Sequence, residues 1–216
     1  KKNYDKAEIV AQNYLSAYPN NEYTAEMYRV LGDADYHFGK YHEAMGAFEK
    51  YLANNKEEAP RRDALYMLGL SYYHSGVYTK AANTLGEVAT GNDALSQNAY
   101  LHMGLSYLQM GDKNKARMAF EQASASNANM QIKEQAAYNY ALCIHETSYS
   151  AFGESVTVFE KFLNEFPNSQ YVDKVSSYLV EVYMNTRSYE AALKSIERIT
   201  HPGAAILEAK QKILFH

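Results

Sequence analysis

Histidine, cysteine and tyrosine are the side chains with which this 216-residue chain could do chemistry: seven, one and twenty-one of them. His37 and His42 stand five apart, while His74, His102 and His145 lie singly. No Cys/His/Asp set has the spacing of a metal centre, which needs three or four convergent ligands. Cys143 has no second cysteine to bridge to. A nucleophilic thiol needs a partnered histidine, and His145, two residues on along a helix, points away from it. The glycines follow no strand pattern that would make a phosphate cradle, and there is no nucleophile elbow. These residues predict no catalytic group, no cofactor and no metal site, and the chain is read as not an enzyme. The tyrosines point instead to recognition, because each joins a large ring to a hydrogen-bonding tip with few rotatable bonds.

The elements that must hold these residues are helices. Gly32, Gly69 and Gly104 are each followed seven residues later by Gly39, Gly76 and Gly111, and five residues beyond those stand Ala44, Ala81 and Ala116. In 25–38, Met27, Tyr28, Leu31 and Phe38 recur at helical spacing, interrupted by Asp35. Gly39, Gly76 and Gly111 are placed to close a helix in the left-handed conformation before a return helix begins. Gly32, Gly69 and Gly104 lie inside helices, where each costs about 1 kcal/mol relative to alanine. Close approach to Ala44, Ala81 and Ala116 across a helical hairpin, with Leu31, Phe48 and Tyr51 filling the space beside the first pair, would offset that cost. Self-similarity at 35 to 37 residues marks a stacked array in which no unit buries its apolar face alone.

These residues resemble the tetratricopeptide repeat. Tyr28-x-x-Leu31-Gly32, Leu65-x-x-Leu68-Gly69-x-x-Tyr72 and Tyr100-x-x-Met103-Gly104-x-x-Tyr107 match its first helix; Ala44-x-x-x-Phe48, Ala81-x-x-x-Leu85 and Ala116-x-x-x-Phe120 match its second. Weaker copies run through Leu142-Cys143, Phe152, Phe159, Phe162 and Pro167, then Leu179-Val180, Tyr183, Tyr189, Ala192 and Ile196. Cys143 and Val180 are larger than glycine, so these two hairpins should pack less tightly or at another angle. The resemblance implies an all-α, right-handed superhelical solenoid of about eleven to twelve helices in one domain over 1–216. Its repeats are 22–57, 58–92, 93–128, 129–169 and 170–202, with a lone second helix in 1–21 and a lone first helix in 203–216. Half-units at both ends make the chain read as a fragment of a longer protein.

In this family the first helices line a groove. The stripe would hold Arg29, Asp33, Tyr36 and His37, then Tyr66, Leu70, Tyr73 and His74, then Leu101, Leu105 and Leu108, then Tyr140 and Ile144. Of these, Arg29, Tyr36, His37, Tyr66, Tyr73, His74, Leu105 and Tyr140 are the expected partner-binding residues, since tyrosine and leucine accumulate there as charge thins. Relatives that clamp a chaperone's C-terminal carboxylate use lysine, arginine and asparagine in this groove; Asp33, Tyr66, Met67 and Leu70 would not hold one. The expected function is a non-catalytic scaffold for a partner protein or extended peptide. The alternative is a regulatory or substrate-presenting arm of a larger enzyme or signalling protein. Tyr18-Pro19-Asn20-Asn21 and Phe166-Pro167-Asn168-Ser169 are similar to links in bacterial repeat proteins of envelope assembly, which implies a periplasmic or envelope-associated parent. A formal charge of −4 with mixed signs gives no footprint for nucleic acid, and no apolar run reaches the roughly 20 residues of a membrane span. The unpaired end helices predict a capacity for self-association.

Overall fold

A computed structural model of the protein describes residues 3–55, 57–149 and 151–216. Among the described residues there are twelve α-helices, one π-helical turn and no strand. No described helix is long and apolar enough to cross a membrane. The chain forms two compact units, Lys1–Ala128 and Asn129–His216, and the border coincides with a predicted repeat boundary.

The first unit holds α1 (Tyr4–Ala17), α2 (Thr24–His37), α3 (Tyr41–Asn54), α4 (Glu58–His74), α5 (Tyr78–Val88), α6 (Ala94–Gln109) and α7 (Lys113–Ala125). Each helix packs on the next in sequence from α1 to α7, and α2 also meets α4 as α4 meets α6. Hairpins α2–α3, α4–α5 and α6–α7 turn on glycines with φ of +73°, +78° and +77° at Gly39, Gly76 and Gly111. The three turns share one hydrogen-bond pattern. Lys40, Val77 and Asp112 amides donate to the carbonyls of Asp35, Tyr72 and Tyr107 at 2.8–2.9 Å, and the glycine amides donate to Tyr36, Tyr73 and Leu108 at 3.0–3.1 Å. This double bond satisfies the carbonyls that a helix end leaves open.

The glycines inside the first helices are explained by a larger neighbour than the one expected. A Cβ at Gly32 would lie 2.9 Å from the Phe48 ring; at Gly69, 2.5 Å from Leu85; at Gly104, 2.5 Å from the Phe120 ring. The side chain one turn beyond each alanine therefore lies over the glycine, and Ala44, Ala81 and Ala116 are themselves fully buried. Fully burying a large ring or a leucine stabilises by about 1.5–3 kcal/mol, which outweighs the helix-propensity cost of glycine.

The second unit holds α8 (Met130–Thr147), the π-turn Ala151–Ser155, α9 (Val156–Glu165), α10 (Val172–Asn185), α11 (Tyr189–Arg198) and α12 (Ala204–Leu214). Its core is aromatic: Phe159, Phe162 and Tyr183 are buried with Val175 and Leu179, and Tyr138 stacks on Tyr171 at 4.0 Å. Cys143 is buried where the first three repeats carry glycine. Two residues on, Ala34, Ser71 and Ser106 are small and fully buried in the other repeats, but here His145 must be housed. The return helix opens with the π-turn, and Ser155 Oγ lies 2.9 Å from His145 Nδ1. Between α10 and α11 no glycine closes the helix; Thr186 is extended and the Ser188 hydroxyl accepts from the Ala191 amide at 3.3 Å. Helix α12 packs on α10 and α11, as the first helix of a further hairpin would.

Candidate functional site

The predicted first-helix stripe of the first unit is an aromatic ladder. Tyr36 and His37 stand at the end of α2, Tyr73 and His74 at the end of α4, and His102 in the middle of α6. The His74 ring stacks on Tyr41 at 4.4 Å and meets the edges of Tyr36 and Tyr73 at 5.9 and 5.1 Å. Tyr73 goes on to His102 at 5.0 Å and to Tyr78 at 5.9 Å. At the other end His37 stacks on Tyr4 of α1 at 3.9 Å. Edge-to-face and offset contacts suit the ring quadrupoles and fix the rings without covering all their faces.

The imidazoles of α4 and α6 in the ladder are shifted toward their neutral form. Desolvation lowers the His74 and His102 imidazoles, with His74 adding to the effect on His102. His102 Nδ1–H donates to the Asn98 carbonyl at 2.9 Å, which fixes its tautomer. Burial pushes the Tyr36 phenol up to about 12 and raises Tyr73 and Tyr66 as well. The Tyr66 hydroxyl is engaged by the Asn98 amide. Arg29 is also engaged: its guanidinium bonds Glu26 and reaches Asp33 at 3.0 Å, so its charge is neutralised within α2.

His37 and His74 are exposed, and Arg29, Tyr36, Tyr66, Tyr73 and Leu105 are half-buried. Three members of the expected stripe are largely buried. Leu70 is buried against Leu85, Val88 and Ala99, and Leu101 and Ile144 are buried as well. The cause is the stacking of hairpins, which draws part of each first helix into the contact with its neighbours. Tyr41, Tyr78 and His102 join the ladder although the expected stripe did not include them. The offset of 33 residues from Tyr4 to His37, repeated from Tyr41 to His74, was the available signal.

Tyr140 lies in the second unit. It lines a cleft of about 770 Å³ with Ile144, Tyr149, Val158, Thr157 and Lys161, between α8 and the start of α9. Among the described residues no group of three His, Cys, Asp or Glu side chains converges on a metal position.

Comparison with known proteins places this geometry. The family described as anaphase-promoting complex, cyclosome, subunit 3 matches residues 37–123. No curated protein matches the sequence significantly. Among solved structures, a tetratricopeptide repeat protein from Parabacteroides merdae is similar at 19% identity over 98% of this chain and 79% of its own, with a TM-score of 0.59. The MamA protein is similar at 18% identity over 91% of this chain and 97% of its own, with a TM-score of 0.63. The C-terminal part of a repeat-containing protein from Cytophaga hutchinsonii is 14% identical over 96% of this chain and 94% of its own, with a TM-score of 0.51. At such identities the likeness is one of fold, an all-α helical-repeat solenoid. On that fold and on the signature residues its hairpins carry, the chain is similar to tetratricopeptide-repeat proteins.

Proposed function

We propose that this protein is a non-catalytic scaffold that holds an extended segment of a partner protein against the aromatic ladder of its first unit. The fold is one whose general use is protein–protein interaction, and the ladder is what localises the reading. Rings from α2, α4 and α6 are joined into one aromatic strip, and Tyr36 and Tyr73 bring phenols raised by desolvation. Such rings gain by excluding water and lose little side-chain entropy when a peptide settles on them. Their hydroxyls supply hydrogen bonds to a peptide backbone. Arg29, Tyr66 and Leu105 complete the proposed contact surface with the ladder's own His37 and His74. Tyr140, with its own cleft, offers a separate apolar contact. The envelope-associated parent stays part of this reading on the links at 18–21 and 166–169.

Photo-crosslinking tests the location. The probe is a peptide selected from a random displayed library on the intact protein. With a photoreactive residue in place of Tyr73 the peptide should be captured; with it in place of Met118, which is 65% exposed on α7, it should not. Capture at 118 and none at 73 would move recognition off the ladder.

A further inference from the structure

In the first hairpin the place that Tyr72 and Tyr107 hold in the next two is taken by Asp35. Tyr72 is almost fully buried and sends its hydroxyl back to Glu49 on the preceding second helix, at 2.6 Å. Asp35 holds the corresponding position of α2, which packs on α1, with only 4% of its surface exposed. A carboxylate has no proton to donate backward as the tyrosine does. Its surroundings do not favour its charge either. Glu8 of α1 and Glu43 of α3 both oppose it, and Lys40 in the turn, the one cation acting on it among the described residues, is already bonded to Glu8 at 2.7 Å. Among the described residues, α4, which also touches α2, contributes no charge acting on Asp35. His37, stacked on Tyr4, is the other titratable group that joins α1 to α2.

We propose that the α1–α2 junction is a proton-operated latch, in which Asp35 is neutral when α1 is fully docked and loosens α1 when it ionises beside Glu8 and Glu43. The consequence reaches the ladder, because the Tyr4 ring that covers His37 belongs to α1. Loosening uncovers one face of His37, next to Tyr36.

Burial, then the Glu8 charge, pushes the Asp35 carboxyl up from an ordinary 3.8 to about 6. A carboxyl raised in the docked state binds its proton more tightly there than in the open state. Docking is therefore strongest below the ordinary value, is lost as pH rises from about 4 to about 6, and changes little above that. For one group with these two values, the opening equilibrium rises about tenfold between pH 5 and pH 7.

Hydrogen exchange of the α1 amides, corrected for intrinsic exchange, reads this directly. The wild type should lose about tenfold protection in α1 between pH 5 and pH 7, while α5 and α6 change little. Asp35→Asn should hold α1 at its low-pH protection throughout. Glu43→Gln leaves the Lys40–Glu8 pair intact and should shrink the pH effect. A wild type whose α1 protection is the same at both values overturns the latch. So does an Asp35→Asn protein that keeps the full pH dependence, which would assign the effect to His37 or another group. An Asp35→Asn protein too unstable to measure leaves the wild type decisive: α1 protection that is the same at pH 5 and pH 7 rejects the proposal.

Discussion

The two units build helical hairpins in different ways. In residues 24–125 each hairpin pairs a glycine in the first helix with a large side chain from the second, and turns on a second glycine at positive φ. In residues 130–198 both glycines are gone, Cys143 and Val180 fill the first position, and the turns rely on a π-turn and on hydroxyl caps. The first solution tolerates no added atom at the helix contact. The second accepts larger side chains there and relies on hydroxyl and imidazole contacts, such as the buried Tyr183 with Ser195 and the half-buried His145 with Ser155. Regular glycine hairpins repeat their rings at a fixed offset, and this is how the ladder arises in the first unit.

The contrast is broken most sharply by Gly104→Leu. Its Cβ alone would meet the Phe120 ring at 2.5 Å, so the variant should lose about 3 kcal/mol or more in denaturant unfolding. The matching change in the second unit, Cys143→Ala, removes one buried sulfur and should cost below about 1 kcal/mol. Equal losses would show that the two hairpins do not differ as described.

Of intermediate size is Tyr183→Phe. It strips the buried Ser195 hydroxyl of its partner and should cost about 1–2 kcal/mol; a stability within about 0.3 kcal/mol of wild type would show that the hydroxyl is otherwise satisfied.

Gly76→Ala should act through backbone conformation alone, because nothing lies within 4 Å of a Cβ there while φ is +78°. The expected loss is about 1 kcal/mol, read as a lower Tm with unchanged helical content. A variant as stable as wild type would show that the turn can leave the left-handed region at no cost.

The first unit was legible because its signals are local. The spacing of Gly32 to Gly39 and its two copies set the helix ends, and Ala44-x-x-x-Phe48 with its two copies placed the second helices. The partner of the buried glycine was misplaced by one turn, since sequence gives the period of a helix but not how far a phenyl ring reaches. In the second unit the register survived, with Leu142-Cys143 and Leu179-Val180 in their places, but the π-turn carries no composition of its own. It goes with His145, and that residue could have been flagged by noting that Ala34, Ser71 and Ser106 occupy its place elsewhere. Of the stripe, Tyr36, Tyr66 and Tyr73 came out partly exposed while Leu70 and Leu101 were buried. One-dimensional spacing assigns a face; which part of that face the neighbouring hairpin covers is a tertiary matter.

The central claim is that the ladder of the first unit holds the partner, and the affinity of Tyr36→Ala/Tyr73→Ala for a library-selected peptide tests it. Titration calorimetry on the intact protein should show binding weakened by about 2 kcal/mol or more, roughly 30-fold in Kd, with the far-ultraviolet dichroism of the helices retained. A folded double variant that binds the peptide with unchanged Kd, or one that unfolds because these rings belong to the core, would contradict the account.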